Sequence, residues 1–452
     1  MKLINISGRF SIILLSLVCV LETLCFTYFK KFPFIGSNNS LLYFICGICI
    51  CIIASFLAFN TMPASILPLN KNRALKLIPL LGIIVSTTTV YYMFGSNYFV
   101  ARPITYHEAD MLPLIKTGCE RFLMGEDVYA PVKEIWGGEQ MPYLPGMWLP
   151  YVPAIWLGAD MRWTNIVLNL LGNVIILVFI FQLFKRNYLI GVVSFSVMFY
   201  ALTMYYTVVD RDFFAITEEA VPAFFYLLLM FGFMHKNNWL IAFALAMCTL
   251  SRYALIPFIP FFFLWLLIDK NYKDFWRISL GYALIILVVF VIPFLSKRPE
   301  YFLHPPPGYI NGEKYFWPNI LTAPENKSNL GLAFFIGYKP AILQYLRPGM
   351  LLLAGLWSAI WVLLYYKYKA VISNNKGLWI LIGLKGALLL FYNFLNLPYS
   401  YLFVVPTIVS YPLLLSCLQA TNFNSLKTQQ SYYGIYRSNE TVNGGEAKNG
   451  RS

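Results

Sequence analysis

Apolar runs of about 20 residues recur along this chain, and an α-helix needs this length to cross the hydrocarbon core of a bilayer. Charged or turn residues bound these runs, which predict helices at positions 10–28, 41–59, 74–94, 161–183, 188–207, 213–234, 238–250, 254–268, 276–295, 343–365, 378–396 and 400–418. Only 12% of the residues are charged, against roughly 25% in a soluble domain. The sequence therefore predicts an all-α, polytopic transmembrane bundle of about twelve spans.

The first run resembles a signal peptide, but no small-residue cleavage site follows it and further spans do, so we expect a retained anchor. The net charge of +14 comes from basic residues scattered singly between the runs. That distribution is typical of membrane topology, and we expect no nucleic-acid partner. The cysteines at 46, 49 and 51 have no His or carboxylate nearby, which argues against a metal site, and no disulfide framework is visible.

Residues 238–268 allow two interpretations: one long tilted helix, or two short helices hinged at Ser251–Tyr253. With two crossings there, all the basic turns fall on one side, which the positive-inside rule makes cytoplasmic. The prediction then divides the chain into N-terminal transmembrane helices (1–94), an extracytoplasmic catalytic loop with amphipathic helices (95–160), central transmembrane helices (161–295), an extracytoplasmic Pro-rich loop (296–342), C-terminal transmembrane helices (343–418) and a disordered cytoplasmic tail (419–452).

Carboxylates gather in the predicted outer loop, which holds eight of the twenty acidic residues. Four of these have solvated surface charge as their default: Glu120, Glu126, Glu134 and Glu139. Thr105 and Glu108 match a capping box, which gives Glu108 a structural role. Asp110 has no such role and opens an apolar helix on the membrane surface. Burial at an apolar edge raises a carboxyl pKa, so Asp110 is the candidate general base, with His107 as the alternative.

Five further charges fall in or beside the predicted spans: Glu22, Glu218, Glu219, Arg252 and Lys385. Glu218 and Glu219 lie about six residues beyond Asp212, so a continuous helix would carry them roughly 9 Å below the outer surface, where a carboxylate is functional or paired. Their possible partners are Arg211 and Arg252. At the outer end of a short span, Arg252 either meets a lipid phosphate or snorkels to the interface. We expect Glu22 and Lys385, the remaining charges inside spans, to pair with each other.

The outer loop contains four motifs whose sequence order resembles that of the first outer loop of the GT-C glycosyltransferases, especially the family 87 group that uses polyprenyl-phosphate sugars. They are Asp110, GEDVY at 125–129, MPYLP at 141–145 and LPYVP at 149–153. SRYALIP at 251–257 is similar to a later Lys-Pro segment of that family, with Arg252 in place of its Lys. The chain departs from the pattern at Pro113, where a Tyr is usual, and at 217–219, where a Gly-Gln pair is common. Two extra spans also precede residue 74.

The resemblance implies an inverting transfer of mannose, or another hexose or pentose, from a polyprenyl phosphate to a glycan or glycolipid acceptor. It implies that Asp110 deprotonates the acceptor and that Arg252 offsets the charge on the leaving phosphate. The candidate substrate-binding residues are His107, Glu108, Tyr143, Arg211, Glu218, Glu219 and Arg252. We expect membrane lipids as neighbours and an extracytoplasmic active face on a bacterial cytoplasmic membrane.

Two questions stay open in the sequence. No cofactor is indicated, although Asp110 with Glu218 or Glu219 would suit a divalent ion. A transporter or flippase is the rival class, with an ion pathway through Glu22, Lys385 and the 218–219 pair. Transporters usually show internal repeats and short outer loops, whereas this chain has no visible repeat and a long outer loop, which favours the enzyme.

Overall fold

The computed structural model describes residues 8–28, 38–60, 96–106, 109–134, 138, 140–184, 193, 196–197, 213–300, 330–332, 340–395 and 399–420. These ranges form helices joined by turns and contain no strand. The helices are α1 (Gly8–Tyr28), α2 (Asn38–Asn60), α3 (Ser96–Ala101), α4 (Met111–Met124), α5 (Pro145–Trp148), α6 (Val152–Trp156), α7 (Arg162–Phe184), α8 (Phe213–Ile216), α9 (Ala220–His235), α10 (Asn238–Ser251), α11 (Ile259–Ile268), α12 (Tyr272–Ile286), α13 (Pro340–Ile372), α14 (Lys376–Asn393) and α15 (Val404–Ala420). A π-helix, Leu287–Leu295, continues α12.

In the described part of the chain, seven helices are long and apolar enough to cross a membrane. They are α1, α2, α7, α12 with its π-helical extension, α13, α14, and α15 with the turn before it. The predicted all-α membrane bundle is thus confirmed in its helical, membrane-spanning character. The predicted spans at 74–94 and 188–207 lie outside the described residues, as does the tail after residue 420.

The chain breaks sharply after α10, as the two-helix interpretation of this region predicted. The helices on either side of Arg252 are bent by 118° relative to each other, and Arg252 itself has extended backbone dihedrals. Pro257 and Pro260 follow closely, and a proline inside a helix removes a hydrogen bond and clashes with the carbonyl four residues before it. The interpretation as one long helix is therefore wrong.

A second break corrects the prediction of one helix over 213–234. Helix α8 ends at Ile216 and α9 begins at Ala220, so Glu218 and Glu219 lie in a non-helical turn. In a continuous helix, the ring of Pro222 would clash with the carbonyl of Glu218. At the start of α9 the same proline falls in the first turn, where it is tolerated.

The helix at the start of the outer loop begins later than the capping box at 105–108 predicted. Helix α4 begins at Met111, and Asp110, not Thr105, occupies its N-cap position. Pro113 explains the late start, because a helix begun at Tyr106 would place this proline in its interior. His107 and Glu108 lie outside the described residues.

The centre of the bundle is built on α14 and α15, whose residues are nearly all buried. Helix α14 packs against α2, α13 and α15, and α15 packs against α1, α7 and α9. Gly383 and Gly386 admit the indoles of Trp361 and Trp357, so closely that a Cβ on either glycine would collide with the ring. Small residues at such contacts let membrane helices approach each other.

Glu22 and Lys385 pair in this core, which confirms the prediction for them. Lys385 Nζ donates hydrogen bonds to Glu22 Oε1 at 2.6 Å and to the Pro406 carbonyl at 2.7 Å. Ser410 Oγ donates to Glu22 Oε2 at 2.5 Å. All three side chains are buried. We call Glu22, Lys385 and Ser410 the core ion pair.

Candidate functional site

The two helix breaks meet in a buried group of charges. Arg252 Nη2 donates to Glu218 Oε1 at 2.6 Å and also to Glu219 Oε1. The Arg252 side chain is 23% exposed, whereas both glutamates are fully buried. Of the two pairings considered for the glutamates, the structure thus contains the one with Arg252; Arg211 lies outside the described residues. We call Arg252, Glu218, Glu219 and Tyr143 the arginine cluster.

Tyr143 reaches this cluster because α5 packs closely against α10. Gly146 allows the approach, since a Cβ there would stand 2.7 Å from the backbone carbonyl carbon of Leu250. The Tyr143 ring centroid lies 5.9 Å from Arg252 Cζ, in the range of a cation–π contact. Its hydroxyl also interacts with the Glu218 carboxylate.

The GEDVY stretch holds the backbone of Tyr143. Tyr129 donates its hydroxyl hydrogen to the Tyr143 carbonyl at 3.1 Å and accepts a hydrogen bond from Trp148 Nε1 at 3.3 Å. Asp127 Oδ1 in turn accepts from the Tyr129 backbone N–H at 3.1 Å. Gly125, with φ of 74°, ends α4 and lets the chain turn into this stretch. These residues therefore support the arginine cluster from the outer-loop side.

Asn165 fixes the turn that carries the glutamates. Its Nδ2 donates to the Thr217 carbonyl at 2.8 Å, and its Oδ1 accepts from the Tyr151 hydroxyl at 2.5 Å. Both Asn165 and Tyr151 are buried. A buried side-chain amide can thus satisfy a backbone group that the broken helix leaves open.

Asp110 lies half-buried at the start of α4, within electrostatic range of Glu218 and Tyr143. Burial raises the pKa of its carboxyl above the ordinary range, and hydrogen bonds from the Asp110 and Met111 backbone amides oppose this only in part. Next to it, Met111 Sδ accepts a hydrogen bond from Tyr401 at 3.3 Å, which ties α4 to the turn before α15. The structure thus brings Asp110 to the edge of the arginine cluster.

The site carries more negative than positive charge. Arg252 faces two carboxylates directly, and Asp110 lies within electrostatic range of one of them, Glu218. Both hydrogen bonds to the glutamates use Nη2, and Nη1 has no hydrogen-bond partner in the described part of the chain. In that same part no three His, Cys, Asp or Glu side chains come together as metal ligands. The Arg252 guanidinium bridges the two glutamates.

The other predicted positions divide into surface and structural groups. Glu126 and Glu134 are exposed, and Glu120 forms a 3.8 Å ion pair with Lys116 on the surface of α4. Glu139 lies outside the described residues. Sequence reasoning missed Asn165, Gly146, Tyr226, Tyr392 and Tyr401, all of which lie at or near the cluster. No local motif marks these residues, and only the packing of distant helices brings them together.

Comparisons of the chain with protein-family models, with curated proteins and with solved structures give no match. The resemblance to the GT-C glycosyltransferases therefore stands on the motifs of the outer loop. The geometry of the site is an independent basis for a functional proposal.

Proposed function

We propose that this chain is an inverting membrane glycosyltransferase of the GT-C type, built on the predicted bundle of about twelve spans. It would move a sugar from a polyprenyl phosphate to a glycan or glycolipid acceptor on the extracytoplasmic side. One observation carries the proposal: a half-buried carboxylate, Asp110, lies within electrostatic range of Glu218 and Tyr143 in the arginine cluster, where two buried glutamates hold a guanidinium in place. A base next to a fixed cation is the minimum that this reaction needs.

In the proposed reaction, Asp110 takes the proton of an acceptor hydroxyl. The acceptor oxygen forms a bond to the anomeric carbon as the bond from that carbon to the phosphate oxygen breaks, and the electron pair leaves with the phosphate. Attack from the face opposite to the phosphate inverts the anomeric configuration. The raised pKa of Asp110 suits a general base, since base strength rises with pKa.

Arg252 would stabilise the departing phosphate through Nη1, because Nη2 is held by the glutamates. This arrangement assigns Glu218 and Glu219 a positioning role: they fix the guanidinium before the substrate arrives. A preorganised donor of this kind needs no rearrangement as charge develops.

The rival function, transport, finds less support in the geometry. Its proposed ion pathway needs Glu22 and Lys385 to exchange partners, yet these residues neutralise each other in the core ion pair. Glu218 and Glu219 are likewise held by Arg252. Among the described residues, no hydrogen bond or ion pair links the core ion pair to the arginine cluster, whereas an ion pathway needs linked, exchangeable sites.

Replacing the proposed base tests the function most directly. Purified protein in lipid nanodiscs receives mannosyl or glucosyl polyprenyl phosphates together with a glycolipid acceptor, and the transferred sugar is quantified. Asp110→Asn should lower transfer by about 10²- to 10⁴-fold, the usual contribution of a general base. Glu134→Gln, at an exposed site on the same loop and outside the GEDVY stretch, is the matched control and should keep wild-type transfer.

Two outcomes would count against this proposal. Transfer that persists in Asp110→Asn removes Asp110 as the base. Movement of ions or lipid across the bilayer of sealed proteoliposomes that contain the wild-type protein, without sugar transfer, supports the transporter instead.

A further inference from the structure

Behind the arginine cluster, several buried polar atoms have no hydrogen-bond partner among the described residues. Four of them are Glu219 Oε2, Arg252 Nε, and the hydroxyl oxygens of Tyr226 and Tyr392; Glu218 Oε2, in the cluster itself, is a fifth. Most buried polar groups in native proteins are hydrogen-bonded, because leaving one unsatisfied is costly. Four such atoms in one region indicate that a polar molecule completes them.

These atoms belong to one place in the fold. Tyr226 projects from α9 and lies within electrostatic range of Tyr392, Arg252 and Glu219. Tyr392, from α14, lies within range of Glu219 and Arg252 as well. Helix α9 packs against α14, and the turn that follows Arg252 also contacts α14. Three segments distant in sequence therefore bring these groups together.

The two tyrosines are held rigidly. Tyr392 packs between Phe391 and Phe403, with ring centroids 5.5 Å and 6.2 Å away. Tyr226 and Tyr392 are both essentially inaccessible to solvent. Their hydroxyls cannot turn to the surface for hydration, so any partner has to enter the site. The partly exposed Arg252 side chain marks where the site meets solvent.

The chemistry of the four atoms restricts that partner. Arg252 Nε only donates, an ionised Glu219 Oε2 only accepts, and each tyrosine hydroxyl does both. A phosphate offers acceptors alone and would face the negative charge of Glu219. A hydrocarbon chain offers neither donors nor acceptors. A pyranose ring presents several hydroxyls that donate and accept at once, which matches this alternating set.

We infer that Tyr226 and Tyr392, with Glu219, form a subsite that binds the hydroxyl groups of the sugar to be transferred. This inference rests on the proposed function and assigns specificity to two residues that carry no sequence motif. In this arrangement the tyrosine hydroxyls recognise the sugar, while Arg252 Nη1 is left for the phosphate. Sugar-free protein would hold water in the same place.

Conservative tyrosine variants test the subsite by binding. Tyr226→Phe and Tyr392→Phe are titrated with farnesyl phosphate mannose, farnesyl phosphate glucose and farnesyl phosphate. Each variant should bind a sugar-bearing lipid about fivefold more weakly, the usual effect of one hydrogen bond. Binding of farnesyl phosphate should not change, and the thermal midpoint of the free protein should not fall, because neither hydroxyl has a hydrogen-bond partner in the part of the chain that the structure describes.

Tyr43→Phe is the matched control. Tyr43 is equally buried, but its hydroxyl is hydrogen-bonded to Thr407 at 2.9 Å. Its loss should lower the thermal midpoint and leave the binding of every lipid unchanged. If the substitutions only loosened the bundle, lipid binding and the thermal midpoint would fall together in all three variants, which would contradict the subsite.

The outcomes separate this inference from the proposed function. If both tyrosine variants bind the sugar lipids as the wild type does while the wild type transfers sugar, the subsite is wrong and the function stands. If the wild type binds the sugar lipids through the tyrosines but transfers nothing, the subsite stands and the function falls. If the wild type binds no sugar lipid at all, both fall.

Discussion

The core ion pair and the arginine cluster both bury carboxylates against a cation, but only the core ion pair is balanced. Glu22 faces one lysine, and both of its oxygens accept a hydrogen bond. In the arginine cluster, two glutamates share a single guanidinium nitrogen, and Glu219 Oε2 and Arg252 Nε have no partner among the described residues. The lysine is fully buried, whereas the arginine remains partly exposed.

This difference separates a structural group from one prepared to bind. A buried charge is tolerated when it is paired and fully hydrogen-bonded, and the core ion pair meets that condition. The arginine cluster does not meet it, because one arginine faces two glutamates and some of their polar atoms have no hydrogen-bond partner among the described residues. A natural protein retains such an incomplete group where a ligand, or water in its place, completes it.

Breaking the core ion pair should have the largest effect on stability. Lys385→Met leaves Glu22 as an uncompensated buried charge, which should cost about 3–5 kcal/mol in the free energy of unfolding. The double variant Glu22→Leu, Lys385→Met should recover most of this loss, because an apolar pair can replace a buried ion pair at little cost. Unfolding by denaturant in mixed micelles measures both. A double variant as unstable as the single one would show that the pair does more than balance charge.

Forcing α5 away from α10 should have the next largest effect, and it tests how the arginine cluster is assembled. A methyl group in Gly146→Ala meets backbone atoms of Leu250 and Met247, and overpacking of this kind costs about 1–3 kcal/mol. Gly355→Ala in α13 is the control, since nothing lies within 4 Å of its added methyl group. The control should be neutral or stabilising in the same unfolding measurement. Equal losses in both variants would contradict the role given to the α5–α10 contact.

Neutralising one glutamate should distinguish the arginine cluster from the core ion pair. We expect it to change the free energy of unfolding less in the arginine cluster than in the core ion pair. Glu219→Gln keeps the ion pair between Arg252 and Glu218, so the free energy of unfolding should change by no more than about 1 kcal/mol. Glu22→Gln removes the one counter-charge that Lys385 has among the described residues and should cost about 3 kcal/mol. A comparable loss in both variants would mean that the arginine cluster is as much a structural group as the core ion pair.

The smallest effect should come from the pH dependence of Asp110. Burial favours its protonated form, so its pKa is higher in the folded protein than in the unfolded chain. Its stabilising contribution is complete below the unfolded pKa of about 3.9 and is lost as the pH rises through the folded pKa. Asp110→Asn should therefore raise the thermal midpoint at pH 7, with the gain shrinking as the pH approaches 4. A lower midpoint at pH 7 would contradict this.

The sequence was most informative where a single charge interrupts an apolar run. Glu22 and Lys385 had to find partners inside the bundle, because an isolated charge in hydrocarbon is too costly. The break at Arg252 was also predictable, as Pro257 and Pro260 follow it. Pro222 carried the same kind of signal for the turn at 217–219. There the long apolar run outweighed it, and the prediction of one helix was wrong.

The polar residues behind the arginine cluster could not be predicted in the same way. Tyr226 and Tyr392 lie 166 residues apart in sequence, and hydropathy identifies a span without showing which of its faces meet another helix. A tyrosine in an apolar run is also typical of an interfacial anchor. Only the packing of α9 against α14 shows that these two hydroxyls share one buried place.

The positions of the arginine cluster at two helix ends have a further electrostatic consequence. Glu218 and Glu219 precede α9, whose N-terminus carries a partial positive charge, and Arg252 follows α10, whose C-terminus carries a partial negative one. Each helix dipole therefore favours the charge at its own end by about 0.3–1 kcal/mol. The two dipoles therefore add to the ion pairs in holding the guanidinium and the carboxylates in place, so the same arrangement of charges is supported in the empty and in the occupied site.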